Sequence, residues 1–311
     1  MLGAIVFCLA LVDKKETPFI EISQKAKIIT EPAPEMLPYV ALKFRSGTVG
    51  VYQEGKTNNV KRAAAYGILN GIDDKTFQEI TDEFYAIFTN KLKAVGHEFK
   101  SYDAIKSNEI YQKFSSEVEE RHFNHRDYGT ADVFTQNNVP YFKYPTIILK
   151  PMKFISQMGA DLVCLRLAVD FAEFDMSIAD SWGYDYTTTN YSAKIIPGIK
   201  ITSNTWQEGL VQGVSTGSYF NSPGLSVTNK DGKFAWLTQQ KPIFVKFINP
   251  DVKTYDSKAP EFAGGFRFFG GAVQLGTWVV KPTQADYKRA ALEALTKYAD
   301  EVVLAINREK K

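Results

Sequence analysis

The amino-acid sequence predicts a mixed α/β (α+β) protein in which long amphipathic helices cover a sheet that carries a β-rich insertion at about 176–241. Two segments repeat apolar residues at helical spacing, one before residue 100 and one at the C-terminal end, and other segments alternate as strands do. A helix with one apolar face must bury that face, and a sheet is its natural partner.

Composition places the chain among ordinary globular proteins and argues against some classes of partner and metal site. Of its 311 residues, 44% are hydrophobic and 23% are charged, which excludes wholesale disorder. A net charge of +2 argues against a nucleic-acid partner. Two cysteines cannot form a disulfide framework or a Cys-only zinc site.

The clearest predicted helix begins at the capping box Thr76-x-x-Glu79 and ends at Gly96, which is suited to the position just after a helix. Its apolar stripe consists of Phe77, Ile80, Phe84, Ile87, Phe88, Leu92 and Val95. The C-terminal helix has a similar stripe of Leu292, Leu295, Tyr298, Val302 and Ile306. Both patterns are typical of helices that bury one face.

Two strands are predicted from alternation. In the first, Val40, Leu42 and Phe44 face one way and Lys43 and Arg45 the other, which indicates a half-buried strand. Residues 161–174 alternate in the same way, with Arg166 and Asp170 on the polar face. Three glycines (Gly47, Gly50 and Gly55) predict a loop after the first strand.

The insertion is predicted from a shift to Thr, Ser, Asn, Gly and Tyr between about Met176 and Lys241. Pro197-Gly198, Pro223-Gly224 and Asp231-Gly232 signal turns between short strands. Seven aromatic residues in this lobe form a candidate interaction surface: Trp182, Tyr184, Tyr186, Tyr191, Trp206, Tyr219 and Phe220. Such side chains stack on sugar rings or form protein interfaces, although they would equally serve as the core of the lobe.

The N-terminal segment resembles part of an export signal. An unbroken apolar run extends from Leu2 to Val12, which is too short for a membrane-spanning helix but has the length of a signal-peptide h-region. We therefore interpret residues 1–36 as a truncated export signal and linker, and residues 37–311 as a single domain. A buried N-terminal strand or helix is the alternative.

Several blocks resemble the curli-secretion-channel family and the related N-terminal domain of the Tol-system β-propeller protein. The blocks are the VALKF strand at Val40, the helix and following strand from Thr81 to Ile105, the strand from Gly159 to Phe174 and the helix from Tyr287 to Ile306. The resemblance implies envelope-associated oligomers without catalysis. Channel members of this family insert β-hairpins into the outer membrane, so outer-membrane association is a further expectation.

Candidate catalytic chemistry is limited to one histidine pair. His122 and His125 would share one face of a continuing helix, where they could hold zinc together with a carboxylate, although a solvated polar turn is the simpler interpretation. No His-Glu-x-x-His, phosphate-loop or nucleophile-elbow motif is present. We expect no enzyme activity, no metal and no cofactor.

The sequence therefore predicts an exported, periplasmic or outer-membrane-associated bacterial envelope protein. Its expected role is a non-enzymatic secretion, assembly or structural component, with copies of itself or other envelope proteins as partners. A carbohydrate- or ligand-binding module that uses the aromatic lobe is the alternative. A metal-dependent hydrolase around His122 and His125 is a third hypothesis.

Overall fold

The structure is a computed structural model that describes eleven stretches and two single residues of the chain. The stretches are 19–22, 35–55, 60–101, 107–110, 121–125, 129–139, 156–182, 187–203, 224–229, 234–255 and 272–310, together with residues 103 and 112. Statements below concern these residues.

The predicted fold class is wrong, because the protein is mostly β. Within the described residues, strands account for 52% and helices for 30%, and the strands form two mixed sheets. Long helices do not cover a sheet in the predicted way; much of the second layer is itself a sheet.

The larger sheet has nine strands. They are β1 (Ile20–Ile22), β2 (Met36–Arg45), β5 (His122–His125), β6 (Gly129–Thr135), β7 (Asp161–Trp182), β8 (Thr187–Thr202), β9 (Leu225–Thr228), β10 (Phe234–Gln239) and β11 (Ile243–Lys246). Their order is β1-β10-β9-β7-β2-β6-β5, and β8 pairs with β7 on one side and β11 on the other.

The smaller sheet has four strands in the order β12-β13-β4-β3. They are β3 (Gly47–Glu54), β4 (Lys61–Leu69), β12 (Asp251–Tyr255) and β13 (Ala272–Lys281). β13 and β4 are parallel, and both outer pairs are antiparallel. The predicted loop at Gly47, Gly50 and Gly55 is therefore wrong up to residue 54, which belongs to a hairpin strand.

The centre of the larger sheet is the parallel pair of β2 and β7, with Val40 opposite Leu165 and Phe44 opposite Val169. Both strands were predicted, but β2 is not half-buried. Lys43 and Arg45 on its second face are buried along with Val40 and Leu42 on the first. Strands in parallel pairs are commonly covered on both faces.

Two α-helices, α1 (Asp74–Ala94) and α2 (Gln284–Glu309), lie side by side and parallel; a short 3-10 helix spans Gln136–Asn138. At their N-terminal ends, Gln284 donates to Asp73 over 3.1 Å. At their C-terminal ends, Lys310 Nζ donates to the Val95 carbonyl over 3.0 Å. Between these ends, Lys288 pairs with Glu79 and Glu83, and these carboxylates raise the Lys288 pKa.

The predicted apolar stripes of both helices form buried contact faces, apart from Ile87, Val95 and Leu292, which are half-buried. On α1, Phe77 stacks on Phe44 of β2 with ring centroids 4.6 Å apart, and the same ring meets Tyr287 of α2 at 5.7 Å. Phe77 therefore joins the two helices to the central strand. Such aromatic contacts add about 0.5–1.5 kcal/mol each beyond the area that they bury.

The two ends of α1 show one wrong and one correct prediction. The N-cap is Asp73, whose carboxylate accepts from the Thr76 amide over 2.8 Å, so the capping box with Thr76 as cap is wrong. Gly96 has the predicted role. Its φ is 99°, its N–H donates to Lys93, and the next amide donates to Leu92, which is the Schellman arrangement.

The predicted insertion at about 176–241 is also wrong as a separate lobe. Residues 176–182 continue β7, and β8, β9 and β10 are strands of the larger sheet. The small polar residues of the segment are the exposed half of an alternating pattern. Ser177, for example, lies opposite Ser192 on the outward face of the β7–β8 hairpin, and their hydroxyls are 2.8 Å apart.

The distal half of the β7–β8 hairpin lies face to face with the smaller sheet. Phe174 packs against Trp278 with ring centroids 6.0 Å apart, and Lys61 forms an ion pair with Asp180 near the hairpin end. Gly50 makes room for the Phe174 ring, since a Cβ at this position would lie 2.6 Å from it. This contact sets the distance between the two layers.

We expect Gly50→Ala to lower the free energy of unfolding by about 1–3 kcal/mol, because the added methyl overlaps the Phe174 ring. A double-mutant cycle with Phe174→Ala, measured by urea unfolding, isolates the share of that overlap that comes from the ring. In the Phe174→Ala background, Gly50→Ala should cost less than in the wild type, because the ring atoms at 2.6 and 2.7 Å are gone and only the Cβ of residue 174, at 2.8 Å, remains. An equal loss in both backgrounds would show that the Phe174 ring is not the group for which Gly50 makes room.

Candidate interaction surface

The smaller sheet has open edges at both sides in the part of the chain that the structure describes. β3 pairs there with β4 alone, and β12 with β13 alone. All five side chains of β12 are exposed, and so are the last four of β3. An exposed edge strand presents a row of unpaired N–H and C=O groups to which another strand can bind.

Exposed apolar side chains concentrate on the same sheet. Five of the eight large ones in the described stretches belong to it: Val51, Tyr52, Val252, Tyr255 and Val273. Val252 and Tyr255 lie on β12 and Val273 lies on β13, whereas Val51 and Tyr52 lie on β3 at the opposite edge of the sheet. Single exposed apolar residues are ordinary on a protein surface, but exposed apolar side chains on an open edge strand are suited to binding another strand. We call β12, with its exposed Val252 and Tyr255, the edge surface.

The faces of β12 follow from its register with β13. Val252 lies opposite Val280, and Thr254 lies opposite Trp278, so this face continues the layer that packs on the β7–β8 hairpin. Asp251, Lys253 and Tyr255 are on the outward face, where Lys253 Nζ lies 3.8 Å from Asp251 Oδ2. β12 therefore has Val252 and Thr254 on its inner face and the Asp251–Lys253 pair on its outer face, along an edge with which no other described strand pairs.

Sequence reasoning missed β12. The signal that could have found it is the alternation of Val252 and Thr254 with charged residues directly after the turn signal Asn249-Pro250. A strand of five residues, with one exposed edge, shows too short a pattern to stand out.

A second group of polar residues is buried between the layers. Asp170 accepts from the Thr48 hydroxyl over 2.9 Å and lies 3.6 Å from Arg45 Nε, which joins β7 to the start of β3. Lys43 and Arg166, on the same face of the sheet, are only 8% and 1% exposed. Together these groups fix the position where the chain passes from one sheet to the other.

Burial shifts the acid–base properties of this group. The pKa of Lys43 falls to about 8, first because burial disfavours its charged form and second because Arg45 repels it. Burial also raises the pKa of the Cys164 thiol, although Arg166 opposes the shift. Cys164 therefore stays a protonated core residue at neutral pH.

The predicted aromatic surface is not brought together in the described residues. Tyr184, Tyr186, Trp206, Tyr219 and Phe220 lie outside them, and Trp182 is described only as the last backbone position of β7. Tyr191 is on β8 opposite Ile178, in the row of the hairpin that packs on the smaller sheet, and is half-buried.

The helical basis of the histidine pair is wrong. His122–His125 is a strand, so residues three apart do not share a face as they would on a helix. His122 Nδ1 pairs with Asp132 Oδ1 over 2.8 Å on the neighbouring strand. Among the described residues, no three His, Cys, Asp or Glu side chains converge on a point where they could hold a metal ion.

None of the described helices combines the length and the apolar character needed to cross a membrane. The N-terminal apolar run and Cys8 lie outside the described residues. Comparison of the chain with protein-family models, curated proteins and solved structures finds no match. The resemblance to the curli-secretion-channel family therefore stays a prediction from the sequence.

We predict that Lys43 makes the free energy of unfolding rise with pH between about 8 and 10.5. In this window the unfolded chain holds a proton on Lys43 that the folded chain has lost, so the penalty for burying the charge disappears as pH rises. Relative to Lys43→Met, the wild type should gain about 1–3 kcal/mol across the window.

Guanidinium unfolding of both proteins at several pH values from 7 to 10.5 measures this gain. Other titrating groups are shared by the two proteins and cancel in the difference. Curves that stay parallel across the window would contradict a lowered Lys43 pKa.

Proposed function

We propose that the protein is a non-enzymatic component of the bacterial cell envelope that acts in secretion, assembly or structure through protein–protein contacts. Its partners are copies of itself, other envelope proteins, or both, and its location is exported, either periplasmic or outer-membrane-associated. The location rests on the N-terminal apolar run and on the family resemblance, both read from the sequence.

The observation that supports a role in assembly is the edge surface. Its open strand provides backbone hydrogen-bonding groups, and its apolar side chains provide area to bury. Strand addition to an exposed sheet edge is a general mode of protein recognition, in which main-chain bonds supply affinity and alternate side chains supply specificity. Asp170, by contrast, bonds within the fold, to the Thr48 hydroxyl and the Arg45 guanidinium.

The alternative of a carbohydrate-binding module has no supporting residue in the described part of the chain. Tyr191 is the only candidate aromatic whose side chain is described there, and its row faces the smaller sheet. An exposed aromatic platform would be needed to stack on a sugar ring.

Site-specific photo-crosslinking in the native host tests the proposal. A photoreactive phenylalanine replaces Tyr255 on β12, which is 55% exposed; the matched control replaces Leu304 on α2, which is 52% exposed. We expect discrete crosslinked products from position 255, in the envelope fraction, and none from position 304.

Protein found only in the cytoplasmic fraction would contradict the proposed location. Equal labelling from both positions, or no product from position 255, would contradict assembly through the edge surface. Circular dichroism of both variants confirms that each is folded; exposed substitutions of this kind usually change stability by less than about 0.5 kcal/mol.

A further inference from the structure

We propose that β12 pairs with β12 of a second copy of the chain, antiparallel and across a two-fold axis at Val252. Two four-stranded sheets would then become one continuous sheet. The inference rests on the proposed role in assembly, and it names the partner, the strand and the register.

The charges of β12 select both the partner and the register. In an antiparallel pair centred on Val252, Asp251 of each copy lies opposite Lys253 of the other, so two opposite-charge pairs form by symmetry. All four groups lie on the same face of the joined sheet, since directly opposite residues share a face. Centring the pair on Lys253 instead would oppose two lysines at the axis.

The charge pattern also explains how β12 can pair with its own copy although it carries an edge lysine, which usually prevents strand pairing. A lysine on an edge ordinarily discourages pairing with another strand, because it must be desolvated beside apolar or cationic neighbours. Here Asp251 lies two residues from Lys253 on the same face, so a second copy offers each lysine a carboxylate. The charges of β12 therefore oppose pairing with other strands more than they oppose pairing with β12 of a second copy.

The inner face agrees with this register. Val252 meets its own copy at the axis, beside Val280 of the neighbouring β13, and Thr254 lies opposite Pro250. On the outward face of the joined sheet, Tyr255 lies opposite Asn249 of the other copy. A surface that is complementary to itself forms a closed two-fold dimer, the commonest form of soluble oligomer.

Charge exchange on purified full-length protein tests the proposal. Light scattering and sedimentation over roughly 1–200 μM should show a monomer–dimer equilibrium for the wild type, the range in which weak interfaces dissociate. Asp251→Lys alone places a lysine opposite a lysine in both pairs, and Lys253→Asp alone places an aspartate opposite an aspartate. Each should weaken the dimer about tenfold or more, because attraction becomes repulsion at two symmetric positions.

Restoring the pairs should restore the dimer. The double variant Asp251→Lys/Lys253→Asp should self-associate like the wild type. A mixture of the two single variants should form a heterodimer, since each lysine then meets an aspartate. Lys75→Glu, on the exposed surface of α1, changes the net charge by the same amount as Lys253→Asp but should leave the equilibrium unchanged.

Val252→Cys reports the register directly. Residues opposite each other across an antiparallel pair are close enough for a disulfide, so mild oxidation should give a covalent dimer through position 252. The double variant Val252→Cys/Lys253→Asp should form it much more slowly.

A wild type that stays monomeric at every concentration would overturn the inference. An oligomer whose dissociation is the same in the wild type and in the single charge variants would also overturn the inference. That result would not contradict the proposed role in assembly. Failure of the role itself would show separately, as a Tyr255 crosslinking experiment without products.

Discussion

The packing of Phe174 on Gly50 is the contact on which the two-layer arrangement depends. β7 runs for 22 residues, and its second half leaves the part of the larger sheet that β2 pairs with. That half needs a layer to cover its apolar face, and the smaller sheet supplies it, with Gly50 of β3 leaving room for the Phe174 ring. Interiors are packed as densely as organic crystals, so a single methyl group at this position would displace the ring.

The position of the edge surface follows from that contact. Once β3 lies against β7, β4 and β13 extend the sheet sideways and β12 becomes its far edge. The outward face of the hairpin is polar, with the Ser177–Ser192 hydrogen bond and a 2.7 Å ion pair between Lys200 and Glu173. Two neighbouring surfaces therefore differ in character: the hairpin satisfies its own polar groups, whereas the sheet edge leaves its backbone groups open to a partner.

Local features of the fold could be predicted from the sequence, and long-range features could not. The stripes of α1 and α2 and the role of Gly96 depend on residues within a few turns, so periodicity was enough to find them. The burial of Lys43 depends on what covers the second face of β2, which no local pattern reveals. Gly50 was predicted to lie in a loop because the reason for that glycine, the Phe174 ring, lies more than a hundred residues away.

The same limit explains the wrong fold class and most of the candidate site. Serines and threonines between 176 and 202 contributed to the prediction of an inserted lobe, but they belong to the exposed half of paired strands, and pairing is a property of two segments. Neither the open edge of β12 nor its charged row could be located before its neighbour β13 was known. Of the residues first chosen for the site, only Tyr191 has a described side chain, and it faces inward.

Nuclear Overhauser effects between Gly50 and the Phe174 ring test the two-layer arrangement most directly. In a sample with labelled glycine and phenylalanine in a deuterated background, the glycine Hα protons should show strong cross-peaks to the ring, and the amides of β4, which is paired on both sides, should exchange slowly. A spectrum without these cross-peaks, together with fast exchange along β4, would show that the smaller sheet does not lie on the hairpin.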